Sequence, residues 1–387
     1  MRKVFKISFR ILLLLVVSAA ALGIWKREEI FRLLAVNSLF AEEKIVGNFS
    51  NMEGAFETTP LARGTKAISP LPQGGEMTMP AGTDQWIKDR AVTSLLILKD
   101  GQVRHESYHL GTAPNDRRIS WSVAKSYLSA LFGVLMGEGA IASLDDPVIK
   151  YVPSLKGSAY DGASIRNVLN MASGVTFDED YLDYDSDINR MGRVIALGGT
   201  LDEFTTGLKE SFATPGDTWQ YVSIDTHVIG MVVRGATGRD VPSSLAEKIL
   251  APLGLERDGY YITDGADVAF VLGGLNFTTR DFARFGQMIA QNGSYSGKQI
   301  VPADWISEST QASAPTKPGK TKYGYQWWIP SDASEGEFFA RGVYGQYIYI
   351  DQARGVVITA TGADRKFREN GVNRSNIEMF RKLAKIL

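Results

Sequence analysis

The chain contains no cysteine. Disulfides, a thiolate nucleophile, Cys-ligated zinc and a lipidated-cysteine anchor are therefore excluded. At 387 residues a hydrophobic core can supply stability without cross-links. Histidine is nearly as scarce, with His105, His109 and His227 the whole supply, so His-dependent mechanisms have little to draw on. Neither sign of charge predominates: 42 Lys and Arg face 43 Asp and Glu, a net charge of −1. That leaves no electrostatic case for nucleic acid as a partner. No G-x-S-x-G occurs, which removes the nucleophile elbow of the common α/β-hydrolases. Internal repeats and low-complexity runs are also missing. What remains, 44% hydrophobic and 22% charged residues, is the balance of an ordinary globular protein.

The N-terminus joins Arg2, Lys3, Lys6 and Arg10 to an uncharged run over residues 11–25. A basic flank before an apolar run is an export signal. Residues 1–25 read as an uncleaved signal anchor that holds the body outside the cytoplasm, Lys6 and Arg10 snorkelling to lengthen the span. The alternative is secretion after cleavage near Ala21, since Ser18-Ala19-Ala20-Ala21 would suit a signal peptidase. Residues 26–84 read as a linker and surface strap: an amphipathic start (Ile30, Phe31, Leu33, Leu34), then a Pro-, Gly- and Ser-rich stretch over 58–82. The third segment, 85–387, reads as the main folded body.

Within it, Val92-Thr93-Ser94-Leu95-Leu96-Ile97-Leu98, the turn pair Asp100-Gly101 and a return to His109 predict a β-hairpin. A mainly helical middle extends to about Pro318. Tyr347-Ile348-Tyr349-Ile350 and Val356-Val357-Ile358-Thr359 predict paired strands, and residues 373–387 a closing amphipathic helix. Strands near both ends with helices between them imply an α+β body whose sheet is assembled from distant segments.

Two motifs mislead. His105-Glu106-Ser107-Tyr108-His109 matches H-E-x-x-H, which binds zinc when a helix brings both imidazoles to one metal. On the return strand of a hairpin the two positions stand about 13 Å apart, so a membrane-tethered zinc protease through His105 and His109 is only an alternative. Asp183-Tyr184-Asp185-Ser186-Asp187 opens like a calcium loop, but Ile188 replaces the required glycine and Val194 the closing glutamate. The acidic cluster from Asp178 to Asp187, with Tyr181 and Tyr184, is either a solvated loop or one that meets a cationic or polar substrate group.

The organising stretch is Ser122-Val123-Ala124-Lys125. Apolar residues at 123, 124, 127, 128, 131, 134 and 135 recur at helical spacing, with Ser122 where the helix begins. Lys125, three positions on, shares a face with it at about 5–6 Å. A dry amine beside a hydroxyl loses protonated character and can take the hydroxyl's proton. The helix N-terminus offers N–H groups to an oxyanion. Ser-x-x-Lys arises roughly once by chance in a chain this long, so it needs company. A second proton-handling group is available in Tyr221, delivered by Pro215-Gly216 ahead of Val222-Ser223.

Taken in order, these residues resemble the serine β-lactamase and penicillin-recognising hydrolase superfamily, in particular class C β-lactamases, β-lactamase-fold carboxylesterases and 6-aminohexanoate-oligomer hydrolases. The resemblance rests on Ser122-Val123-Ala124-Lys125, Val168-Leu169-Asn170-Met171-Ala172-Ser173-Gly174, Pro215-Gly216 to Tyr221-Val222-Ser223, Gly273-Gly274-Leu275-Asn276-Phe277, Gly324-Tyr325-Gln326-Trp327-Trp328 and Gly342-Val343-Tyr344-Gly345-Gln346. It runs from about residue 85 to the end. It implies a β-lactamase/transpeptidase-like α+β fold and a cofactor-free, metal-free serine hydrolase. Ser122 would be the nucleophile and Lys125 and Tyr221 the acid–base pair. The backbone N–H of Ser122 and one near Val343, from Val343 or Tyr344, would form the oxyanion hole. Tyr181, Ser223, Asn276, Trp327 or Trp328, and Tyr344 would bind substrate, a small ester or amide or a short oligomer. The Lys-Thr-Gly strand of β-lactamases is here Arg341-Gly342-Val343, which disfavours β-lactams. A catalytically silent binding protein on the same fold is the alternative from another class, and retention of Ser122, Lys125 and Tyr221 together speaks against it.

Overall fold

Strand Val92–Lys99 is apolar at consecutive positions because both of its faces are covered. Leu95 and Ile97 join Tyr349, Ile358 and Phe380 on one side of the sheet, while Leu96 and Leu98 join Ile348, Val357 and Phe285 on the other. The computed structural model describes residues 2–387. Met1 lies outside the described residues, as do the side chains of Arg2, Lys3, Val4, Lys6, Ala19, Glu28 and Glu29, so most of the basic flank and part of the cleavage motif are not described.

Seven antiparallel strands build the main sheet, in the spatial order Gln102–Tyr108, Val92–Lys99, Val356–Gly362, Gln346–Asp351, Glu337–Gly342, Trp327–Ile329 and Lys322–Gly324. The N-terminal hairpin therefore docks on the C-terminal strands, with Ile97 opposite Ile358 and Ile358 opposite Tyr349. Asp100 and Gly101, both at positive φ (49° and 79°), make the hairpin turn, as the pair predicts. Helix Val372–Lys385 covers one face, its Phe380 meeting Trp86, Tyr347 and Tyr349. Helix Thr279–Ala290 covers the other, where a Cβ on Gly286 would sit within 2.8 Å of Val357 and Ile348. This is the expected α+β architecture.

The helical middle differs from expectation by contributing Gly259–Ile262 and Leu275–Phe277 to a second, four-stranded sheet in the order Thr58–Leu61, Gly259–Ile262, Leu275–Phe277, Arg118–Ile119. Its strands are two to four residues long, too short to show a period of two.

The stretch 26–84 also differs from a linker. Helix Arg27–Asn37 follows Arg2–Trp25 almost without a break, with Lys26 N–H donating to the Leu22 carbonyl and Ile30 N–H to the Lys26 carbonyl. Leu39, Phe49, Met52 and Leu61 are then buried in the main core. The Pro- and Gly-rich part runs beside strand Gln102–Tyr108. Val103 N–H donates to the Pro72 carbonyl, and Gly74 N–H to the Val103 carbonyl, so it covers the exposed edge of the main sheet. In Arg2–Trp25 the segment Ile7–Trp25 is 19 residues long and apolar enough to cross a membrane by length and composition, with none of its described side chains buried.

Candidate active site

The residues around Ser122 are held by the small sheet. Arg118–Ile119 pairs with Leu275–Phe277, and Ser120 N–H donates to the Leu275 carbonyl at 2.7 Å. The chain then turns sharply, placing Trp121 at φ +42°, a conformation costly for a bulky side chain. Its indole is wedged among Phe40, Phe49 and Tyr344, with ring centroids 5.5–6.3 Å away. Ser122 lies in the 3₁₀ turn Trp121–Val123 and is not the N-cap of the helix that follows, Ala124–Gly137. Strand Glu337–Gly342 runs directly beside this turn. A Cβ on Gly342 would stand 2.5 Å from the Ser120 carbonyl oxygen, so only glycine permits the approach.

Lys125 is buried. Its Nζ donates to the Leu272 carbonyl at 2.7 Å and to Ser223 Oγ at 3.3 Å. Two donated bonds satisfy a neutral amine and leave its lone pair open. Burial lowers the Lys125 pKa to about 7, against the opposing pull of Glu179 and Asp225. Tyr221 lies alongside, its ring centroid 5.5 Å from Lys125 Nζ. Burial, and next the charge of Glu179, push the phenol well above its usual value, while the Ser122 hydroxyl pulls the other way. Tyr221 is thus neutral at physiological pH. Trp328 stacks on it at 5.0 Å, and the Arg341 guanidinium covers Trp328 at 3.9 Å.

Two clefts meet at Ser122. One, of ≈ 580 Å³, is the more polar of the two and includes Tyr221, Glu179, Arg341, Arg368 and Arg374 in its walls. The other, of ≈ 320 Å³, is apolar. Ser122, Tyr181 and Val343 border both.

The structure thus brings Ser122, Lys125, Tyr221, Ser223, Tyr181 and Val343 together, and several sequence expectations need correction. Asn276 lines neither cleft. It is buried on the small sheet and donates to the Gly274 carbonyl, because Leu275–Phe277 is paired with Arg118–Ile119. Trp327 is a core residue beside Phe285 and Phe338; strand alternation sends it to the face opposite Trp328. Trp328 itself supports Tyr221 from behind. Tyr344, at φ +60°, turns its ring onto Phe40 at 4.9 Å and borders neither cleft, whereas its neighbour Val343 borders both.

The H-E-x-x-H residues lie on edge strand Gln102–Tyr108 and just beyond it, without the helix that motif requires. The imidazoles come closer than strand spacing suggests, both bonding Ser107 Oγ at 2.9 and 3.0 Å. Among the described residues no group of three or more His, Asp or Glu is arranged to hold a metal ion.

Glu179 was hidden in the acidic cluster. Asp180 pairs with Arg368, and Asp178, Asp183 and Asp187 accept backbone N–H bonds within the loop, so these carboxylates fold the loop. Glu179 instead reaches the Lys125 network. It accepts from the Ser223 hydroxyl, from Ser223 N–H at 3.0 Å and from Tyr181 OH at 2.6 Å. Nothing in the sequence separates it from its acidic neighbours.

Its charge raises the Lys125 pKa, so Glu179→Gln should lower that pKa. The acid limb of kcat/KM should then move down by up to about one pH unit. A limb that stays in place would show that Glu179 serves the loop alone.

With this geometry in view, comparison with known proteins is informative. The Beta-lactamase family model matches residues 83–374. The chain belongs to the beta-lactamase family. A 6-aminohexanoate-dimer hydrolase of Paenarthrobacter ureafaciens is 32% identical over 292 residues, 71% of this chain and 73% of that one. Among solved structures, one from Bacillus anthracis described as a candidate 6-aminohexanoate-dimer hydrolase superposes with TM-score 0.81 at 22% identity, covering 89% of this chain and 95% of that one. A D-stereospecific amidohydrolase of Streptomyces sp. superposes with TM-score 0.59 at 20% identity, over 76% and 97% of the two chains. These two superpositions speak for the fold. The chain is a serine hydrolase of the β-lactamase-like superfamily, related to 6-aminohexanoate-dimer hydrolase.

Proposed function

We propose that the chain hydrolyses an ester or amide bond of a small molecule or short oligomer through an acyl-Ser122 intermediate. The observation that carries this is a buried Lys125 amine with a pKa near 7 behind a cleft whose wall includes both Ser122 and Tyr221. Ser122 Oγ attacks the carbonyl carbon while its proton passes to Lys125, directly or across the Tyr221 phenol. The N–H groups of Ser122 and Val343 hold the oxyanion. Tyr221 then protonates the departing alkoxide or amine and is resupplied by Lys125. Water enters in the reverse sense, and the acid leaves as Ser122 regains its proton. Tyr181 and Ser223 would border the bound substrate. Neither a metal nor a cofactor has a part in this sequence of steps.

Arg341-Gly342 in place of a Lys-Thr-Gly strand favours open-chain substrates over β-lactams. The N-terminal helix favours anchorage in a membrane with the catalytic body outside the cytoplasm, with secretion after cleavage near Ala21 as the other outcome.

A panel of p-nitrophenyl esters, 6-aminohexanoate oligomers and β-lactams tests the substrate class. Turnover of esters or linear amides at least about tenfold above that of any β-lactam is expected. Preferential β-lactam hydrolysis would reverse the reading.

A further inference from the structure

We propose that the apolar cleft is an acyl-chain chamber, so that the substrates are amphiphiles: esters or amides of a flexible aliphatic acid with a polar leaving group. This rests on Ser122 as nucleophile and Tyr221 as proton donor. The leaving group must lie beside the residue that protonates it, and Tyr221 borders the polar cleft and not the apolar one. The acyl part of a substrate spanning Ser122 therefore extends the other way. Its walls there are Leu39, Phe40, Phe56, Met191, Ile195 and Leu272, and Arg193 is the single charged residue among the described ones that line it. Such walls stabilise methylene groups by taking them out of water, and the one guanidinium among them, Arg193, is already engaged with the Tyr184 carbonyl and ring. The polar cleft, with Glu179, Arg341, Arg368 and Arg374, suits a hydrophilic leaving group.

Three of those walls, Leu39, Phe40 and Phe56, lie ahead of the stretch matched by the family model. They belong to the segment that follows the apolar N-terminal helix. The chamber also opens among apolar side chains. Leu182 and Tyr184 line it while remaining 80% and 65% exposed. Helix Arg27–Asn37, packed against Asp187–Ala196, carries exposed Phe31 and Leu34. A chain leaving a lipid surface would thus meet apolar side chains from the mouth to the nucleophile. In the reaction, the Ser122 Oγ to acyl-carbon bond forms and the bond to the leaving oxygen or nitrogen breaks. The leaving atom takes the proton, and water then releases the aliphatic acid.

The test uses the full chain in lipid nanodiscs, with p-nitrophenyl esters of C2, C4, C8 and C12 acids and, in parallel, acetates of ethanol, butanol and octanol. We expect kcat/KM to rise at least about tenfold from C2 to C8 along the acyl series and to change less than about threefold along the alcohol series. Met191→Trp and Ile195→Trp should each reduce the C8/C2 ratio about tenfold. Comparing ratios between variants and wild type cancels partitioning of the substrates into lipid. Should these variants fail to fold, exposed Leu182→Ser decides, with an expected rise of about threefold or more in KM for C8 relative to C2. A flat acyl series, or unchanged ratios in folded variants, overturns the chamber while leaving acyl-serine chemistry intact. A rise confined to the alcohol series assigns the chamber to the leaving group and equally overturns it. Absence of any Ser122-dependent turnover would instead overturn the underlying function.

Discussion

Ser122→Ala is expected to abolish ester and amide turnover and all labelling by a fluorophosphonate probe. Lys125→Ala and Tyr221→Phe should each lower kcat/KM by on the order of 10²–10⁴. The magnitudes follow from what each change removes. Without the Ser122 hydroxyl no acyl-enzyme forms, and the clefts remain as a binding surface only. Without the amine, the hydroxyl must lose its proton to water. Tyr221→Phe retains the ring that stacks on Trp328 at 5.0 Å, so its loss reports the phenolic proton rather than packing. The pH profile carries the same assignment. In the proposed mechanism Lys125 works as the unprotonated amine, and burial lowers its pKa to about 7, so kcat/KM should fall as pH drops below 7, approaching tenfold per unit. That limb should be missing from the residual activity of Lys125→Ala. Labelling that persists in Ser122→Ala, or losses of only a few-fold in both other variants, would mean that the nucleophile or its partners lie elsewhere.

How much of this was legible in the sequence depended on whether a feature is local. The hairpin could be read because Asp100-Gly101 is a turn chemistry confined to two residues. The pairing of its strand with Val356–Gly362 could be anticipated only as strands at both ends of the chain. Ser122 and Lys125 were legible because a separation of three positions across one turn of chain is a local geometry. Tyr221 became visible through the ordered resemblance around it. Glu179, by contrast, is defined by Ser223, 44 positions away. Trp327 and Trp328 are adjacent in sequence, and their division between core and site is decided by a strand face that the sequence alone leaves open. Leu39 and Phe49 sit in segments too short for periodicity, so their burial was missed, and with Leu39 a wall of the apolar cleft. The strained φ of Trp121 leaves no trace in composition at all.

The second large effect concerns stability. Lys125→Met is expected to make the folded protein more stable at pH 6, by on the order of a few kcal/mol, while removing activity. In the unfolded chain the amine has its ordinary pKa of 10.5, and in the fold it drops to about 7. Between those values the unfolded state binds more protons, so stability rises with pH across that window. Below pH 7 the full cost of burying the ammonium falls on the folded state, and above about 10.5 it vanishes. A methionine of similar length fills the same space without that cost, although it gives up the bonds to Leu272 and Ser223 and the attraction to Glu179 and Asp225. Those losses trim the gain. Asp225 supplies the opposite dependence: burial raises its pKa to about 7, so its own cost is present above pH 7 and is relieved as pH falls toward the ordinary carboxylate value of 3.8. Denaturant titrations at pH 6 and pH 9 distinguish these contributions. The stabilisation by Lys125→Met should be larger at pH 6 and shrink by pH 9. An equal loss of stability at both values would mean that Lys125 is a well-paired ammonium, and the base proposed for Ser122 would then have to be sought elsewhere.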